Sequence, residues 1–324
     1  MPWPAGNHKD PLTRRRLISS LTGAAALTAV LGLLASACDG ERASSAYRGR
    51  PAPVRASPEP AQRAAGVPDQ RVPPRGGRRE VTVYYLRSVR GERYLAPEDR
   101  TVPAAGGGGT VARAAVSELL TGTPRYLGDE RPFPDGTRLL DLRLAGGTAT
   151  VDLSRHALGA ASPEGYAVQT LVWTLTRLPS VKGVVLRVEG RSDGSLDGRP
   201  VAALLGPGTG GRVLVRDPSV RLAPVVLYEP SPREVVTGGR LVARGEACVS
   251  GGTVGLRLRD ASGQVVSQGS ATLAGSAPAR GRFSGALQFT PPPSPELWQV
   301  EAFETSPADA SVTYSVVAPV WVGG

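Results

Sequence analysis

Two domains of different class are predicted for this chain of 324 residues, a mixed α/β domain followed by an all-β sandwich. Two runs with helical spacing of apolar residues, near 110–120 and 162–178, lie among short β-rich runs in the first half. From about residue 222 the apolar pattern turns to period two, broken by Gly, Pro, Asp and Ser, with no helix signal. The 41 glycines and 30 prolines favour turns and short strands over long helices.

The first 79 residues stand outside both domains. Arg14 and Arg15, after Thr13 and before Arg16 and two apolar residues, precede an uncharged Ala- and Leu-rich run that ends at Ala37. A positive segment, an apolar segment and small residues before a cleavage point form an export signal. The Arg14-Arg15 pair fits the twin-arginine type, with the general secretory route and an uncleaved membrane helix as open alternatives. Leu34-Ala35-Ser36-Ala37-Cys38 resembles the lipobox of bacterial lipoproteins, with Ala35 where Leu usually stands and Leu34 one place further out. The resemblance implies removal of residues 1–37 and lipid on Cys38. Two or three hydrocarbon chains anchor stably where one is marginal.

Residues 38–79 are rich in Arg, Pro, Ala, Gly and Ser and lack aliphatic periodicity. Such a segment cannot bury enough surface to offset the entropy of ordering, so a disordered tether is expected. Its nine arginines could touch anionic headgroups or wall polymers, or could simply keep the tether soluble.

The formal charge of +10 invites a nucleic-acid reading. Residues 80–324, however, hold 25 basic and 23 acidic side chains, a net of only +2. No basic groove, and no nucleic-acid partner, is expected of the folded part. With two Cys and two His in the chain, neither a four-ligand zinc site nor a cofactor site is expected.

The first domain is placed at residues 80–218. Glu80 to Leu86 is a β-branched and aromatic run and reads as a strand; a second short strand is expected around Tyr94-Leu95 or Thr101-Val102. Val111, Ala112, Ala115, Val116 and Leu119 define a helix that Thr110 could cap and Gly122 could stop. Residues 138–144 and 148–153 flank Gly146-Gly147 as a hairpin. Ser162-Pro163-Glu164 has cap, first-turn proline and acid in order. Val168, Leu171, Val172, Leu175 and Leu178 continue that helix to Pro179, and residues 181–188 form the next strand.

This half resembles the GerMN domain, the N-terminal-type domain of the sporulation and germination protein GerM. The likeness rests on residues 81–86, on Pro134-Asp135-Gly136-Thr137-Arg138-Leu139-Leu140, on residues 147–154, and on the run from Gln169 to Lys182. It implies a noncatalytic envelope module, of a kind that sometimes assembles into rings or complexes.

In the second domain, placed at residues 222–324, seven strands are expected at 225–228, 240–247, 253–259, 264–272, 281–290, 297–304 and 312–322, which indicates a sandwich of immunoglobulin type. Once Cys38 carries lipid the usual inter-sheet disulfide cannot form, and Cys248 is expected as a buried small residue or a stray thiol. This half is similar to the immunoglobulin-like domain of bacterial spore germination, on residues 243–247, 254–260, 281–292, 300–306 with Asp309, and 317–321. It departs from that pattern at Cys248-Val249-Ser250 and Ala310-Ser311. Each domain is expected to fold alone, with a small interface across the polar Arg216-Asp217-Pro218-Ser219.

No residue is assigned a catalytic role. Asp152, close to Ser154 and His156, is read as a turn or helix cap, because groups two apart on one strand do not converge as a triad. Gly206-Pro207-Gly208-Thr209-Gly210-Gly211 lacks the Lys and hydroxyl of a phosphate loop and is read as a connector. Trp173 and Tyr166 are read as packing residues. The function expected is that of a lipid-anchored protein on the extracytoplasmic face of the membrane, binding or assembling with an envelope protein or wall partner. The rivals are a wall hydrolase using Asp135, Asp141 or Asp152, and a carbohydrate-binding module using Trp298 or Tyr314 if those rings face outward.

Overall fold

The computed structural model describes residues 77–323 apart from 106, 162–164, 206–210 and 275–279. Arg14, Arg15, residues 38–76 of the expected tether, the helix start at Ser162-Pro163-Glu164 and the connector Gly206 to Gly210 lie outside the described residues; the tether's expected last residues, Arg78 and Arg79, instead open the first strand.

The first domain opens with a hairpin of two twelve-residue strands, β1 (Arg78–Val89) and β2 (Glu92–Pro103), paired from Arg78 opposite Pro103 to Val89 opposite Glu92. Its turn has Arg90 at φ 52° and Gly91 at φ 82°, and two positive-φ residues give the turn whose twist suits flanking strands. The second strand is therefore far longer than the short one expected. Pro97, Glu98 and Asp99 interrupt the apolar alternation in sequence but not the ladder.

Helix α1 (Gly108–Thr121) starts two residues before the expected Thr110 cap, from Gly107, and ends at Gly122, whose N–H donates to the Glu118 carbonyl at 2.8 Å. The two-residue β3 (Asp129–Glu130) joins the other edge of β1. Strands β4 (Leu139–Ala145) and β5 (Thr148–Leu153) form the expected hairpin around Gly146-Gly147. Helix α2 (Tyr166–Thr176) then crosses over to β6 (Gly183–Val188), which lies parallel to β5. The strands thus fall into two three-stranded sheets, β2-β1-β3 and the mixed β4-β5-β6. A minimal hairpin, β7 (Ser195–Leu196) with β8 (Arg199–Pro200), and a single turn α3 (Ala202–Leu205) close the domain.

Alternation along β1 sends Val81, Val83 and Tyr85 into a core shared with α1 and α2. Tyr84 and Leu86, on the opposite face, enter a separate cluster with Leu95, Trp173, Val220 and Leu222.

All seven expected strands of the second domain are present: β9 (Val225–Glu229), β11 (Arg240–Ala247), β12 (Thr253–Arg259), β13 (Val265–Thr272), β14 (Gly281–Gln288), β15 (Glu296–Thr305) and β16 (Val312–Gly323). A further short strand, β10 (Val235–Thr237), pairs parallel to β16. A five-stranded sheet β10-β16-β15-β12-β13 faces a three-stranded sheet β14-β11-β9, with Leu241, Leu256, Phe283, Val300 and Val320 between them. The fold is thus an α/β domain followed by an immunoglobulin-like β-sandwich. Cys248 is buried just beyond β11 and is disulfide-bonded, which is neither the free buried residue nor the stray thiol expected.

The expectation of a small interface fails. Beyond the polar Arg216 to Ser219, Val220 and Leu222 enter one apolar cluster and Ala223 the sandwich core, and the chain there runs parallel along the edge of β2. Leu95 N–H donates to Arg221 at 2.8 Å and Ala223 N–H to Leu95 at 2.9 Å. More decisively, Tyr126 of the first domain is a member of the second domain's core.

Candidate functional site

The loop between α1 and β3 carries Tyr126 across. Glu98 on β2 is 1% exposed and accepts from the Arg125 backbone N–H at 3.0 Å, while Arg100 pairs with it at 2.7 Å. A buried carboxylate needs such partners, and here they also fix the loop's direction. One residue on, the Tyr126 hydroxyl donates to the Leu227 carbonyl, and Leu127 bridges Val317. Asp129 then returns to β1 and accepts from Arg87 Nε at 2.6 Å, both side chains being almost fully buried.

Arg87 is the pivot of this seam. Its Nη1 donates to the Ser315 carbonyl of β16 at 2.9 Å, and its guanidinium lies 5.8 Å from the centre of the Tyr314 ring. Tyr314 in turn meets Tyr94 of β2 edge to face at 5.1 Å. Burial pushes the Asp129 carboxyl up to about 7; Arg87 opposes that shift and the neighbouring Glu98 adds to it. Burial likewise pushes the Tyr314 hydroxyl up to about 12, with Arg87 pulling it down.

On another face of the junction lies a cleft of about 730 Å³, walled by β1, β2 and α2 on one side, by β9, β11 and β14 on the other, and by the linker. Tyr84, Trp173 and Tyr228 supply aromatic surface, and Arg177, Arg216, Arg280 and Arg282 supply positive charge. Tyr84 and Trp173 pack with ring centres 5.6 Å apart, and Arg216 stacks 4.7 Å over Trp173. Trp173 is therefore a packing residue, as expected, whose indole also borders the cleft. Its walls are as polar as they are apolar, and a recess of this size is large enough for a small molecule.

Of the acids in the rival hydrolase reading, Asp141 and Asp152 stand opposite each other across β4 and β5, and each is engaged by other groups. Asp152 Oδ1 accepts from the Gly190 N–H at 2.9 Å, holding a turn, and Ser154 Oγ accepts from the Arg138 N–H at 2.9 Å. Asp141 pairs with Arg143 at 2.8 Å and Asp135 with Arg131. Trp298 is 4% exposed, with its indole N–H donating to Glu296 at 2.9 Å, and Tyr314 is 1% exposed at the seam. Neither ring faces outward, which removes the carbohydrate platform considered for them. Among the described residues no group of three His, Cys, Asp or Glu is placed to hold a metal ion.

The seam and cleft define a two-domain protein whose halves are joined through a shared core. Residues 82–194 match the Germane family, described as sporulation and spore germination, and residues 224–311 match Gmad2, the immunoglobulin-like domain of bacterial spore germination. The chain therefore has the GerMN plus immunoglobulin-like architecture, built from domains of sporulation- and germination-associated type, and neither description names an enzyme.

Among solved structures, the chain is similar to the tandem GerMN domains of GerM from Bacillus subtilis, at 22% identity and TM-score 0.34 over 49% of this chain and 50% of that one. The chain thus spans about half the length of that protein. The first GerMN domain of the same protein matches at 22% identity and TM-score 0.29, over 43% of this chain and 96% of that one. A protein from Clostridium perfringens described as a putative lipoprotein matches at 18% identity and TM-score 0.23, over 35% and 76% of the two chains. No curated protein matches.

Proposed function

We propose that this protein is a noncatalytic, lipid-anchored module of the cell envelope, held on the extracytoplasmic face through Cys38, that binds or assembles with an envelope protein or wall component in sporulation or germination. The observation that carries the reading is the pairing of a Germane with a Gmad2 domain in one chain. The lipobox-like Leu34 to Cys38 and the export signal at Arg14-Arg15 support the location. Support for a binding role over catalysis comes from the engagement of Asp135, Asp141 and Asp152 in turn and surface contacts.

Cross-linking in intact cells, followed by identification of co-purifying proteins, tests the reading. Expected is a reproducible envelope partner that is lost when Cys38→Ser releases the chain. If instead the purified chain releases muropeptides from peptidoglycan, and Asp152→Ala abolishes that release, the protein is a hydrolase.

A further inference from the structure

Arg177 after α2, Arg216 in the linker and Arg280 just before β14 are far apart in sequence, yet all line the cleft beside Tyr84. Their grouping is visible in the electrostatics of that ring. Burial raises the Tyr84 hydroxyl pKa, and Arg177, Arg216 and Arg280 pull against it in that order. Arg177 and Arg280 set like charge beside one recess, where partial exclusion of water strengthens their field and favours a counter-charge.

The two acids of the cleft have partners on its own wall, against four arginines. Asp99 accepts from the Thr82 hydroxyl at 2.8 Å, and Glu246 lies 3.6 Å from Arg282. Among the described residues no carboxylate stands within ion-pair distance of Arg177 or Arg280. Two of the guanidiniums are nonetheless positioned. Arg216 stacks on Trp173 and donates from Nε to the Thr176 hydroxyl at 2.9 Å, and Arg280 Nη2 donates to the Ala223 carbonyl at 2.8 Å. A guanidinium has five N–H donors in a planar fork suited to a carboxylate or phosphate, so Arg280 keeps donors to spare. Pro97, Leu222, Val226 and Tyr228 add apolar and aromatic wall.

We propose that the cleft between the domains binds an oxyanion, carboxylate or phosphate, carried on a small and partly apolar body, with Arg177 and Arg280 as its direct partners and Arg216 as a charge held in place by Trp173. This deepens the reading of the chain as a binding module and stands apart from the lipid anchor. Because both domains and the linker build the walls, bound ligand also favours the joined arrangement.

The test is calorimetric titration of the full-length chain in detergent with phenyl phosphate, N-benzoylglycine and benzyl alcohol. Expected is binding of at least one anion with a Kd of about 1 mM or tighter, and none of the neutral alcohol. Phenyl phosphate alone would assign a phosphate ligand, N-benzoylglycine alone a carboxylate, and both a site that reads oxyanions without preference. Arg177→Gln with Arg280→Gln should weaken binding about tenfold or more, since each removes charge-assisted hydrogen bonds. Arg143→Gln, on exposed β4 and outside the cleft, should leave it unchanged. Should the Arg280 variant fold poorly by circular dichroism, exposed Arg177→Gln alone carries the comparison. Failure of both anions to bind with a Kd of about 1 mM or tighter, or equal binding by the variants, overturns the site. If that happens while in-cell cross-linking persists, the envelope-binding reading survives without this cleft.

Discussion

Replacing Arg87 by Met leaves Asp129 as a buried carboxylate without its guanidinium, in a pair whose side chains are only 3% and 1% exposed. Uncompensated buried charges of this kind cost about 3–5 kcal/mol. The same change also orphans the Ser315 carbonyl, which accepts from Arg87 at 2.9 Å across the domain boundary. Asp129→Leu strands Arg87 in the same way and should cost a similar amount. The double variant removes both charges together, and what persists is the unpaired Ser315 carbonyl, about 1–3 kcal/mol. The pair is imperfect as it stands, since Arg87 Nη2 and Asp129 Oδ2 find no hydrogen-bond partner among the described residues. Equilibrium urea unfolding of the four proteins, compared as a double-mutant cycle, measures the coupling. The double variant should be more stable than either single one. Additive costs, or single variants each losing less than about 1 kcal/mol, would refute a seam built on this ion pair.

Further outcomes follow from the same contacts. The Asp129 carboxyl is raised to about 7 from an ordinary value of 3.8, so its contribution to stability is present below about pH 4 and is lost as pH rises through about 7. Relative to Asp129→Asn, the natural chain should therefore lose stability over that window; the opposite slope would mean that Arg87's attraction outweighs the cost of burial. Tyr126→Phe should cost about 1 kcal/mol for the lost bond to Leu227, whereas Tyr126→Ala should cost about 3–5 kcal/mol and split one thermal transition into two. A single unchanged transition would show that the second core does not depend on this ring. Gly255→Ala places a Cβ 2.3 Å from Phe303 ring carbons and should cost about 1–3 kcal/mol by denaturation. No loss would mean that the ring swings aside.

Much of the fold was legible because period-two and helical patterns report one-sided burial directly. Strands β11 to β16 and the apolar face of α2 are examples: Val168, Leu171, Val172 and Leu175 are all buried, as is Leu178 two residues past the helix end at Thr176. The full length of β2 was not, because Pro97, Glu98 and Asp99 look like a break, and because the Arg90-Gly91 turn depends on an arginine at positive φ. Thr110 reads as a cap, yet the helix starts from Gly107.

The seam was hidden for a different reason. Tyr126 and Leu127 sit in a loop and Asp129 in a two-residue strand, all too short for periodicity, and their partners Leu227, Val317 and Arg87 are set by tertiary placement. Likewise the cleft draws Arg177, Arg216 and Arg280 from three segments whose spacing forms no motif. The orientation of Trp298 and Tyr314, left open by sequence, was decided by the strand faces on which they fall: both rings join the sandwich core.

The proposed surface anchor is tested most directly at the N-terminus. The chain has two cysteines, so Cys38 carrying lipid and Cys38 bonded to Cys248 exclude one another. Mass spectrometry of the N-terminal peptide from protein recovered in native membranes distinguishes them. Expected is a peptide beginning at a lipid-modified Cys38, with residues 1–37 absent. An intact leader retained in the membrane, or a peptide joining Cys38 to Cys248, would contradict the lipid anchor on which the proposed location rests.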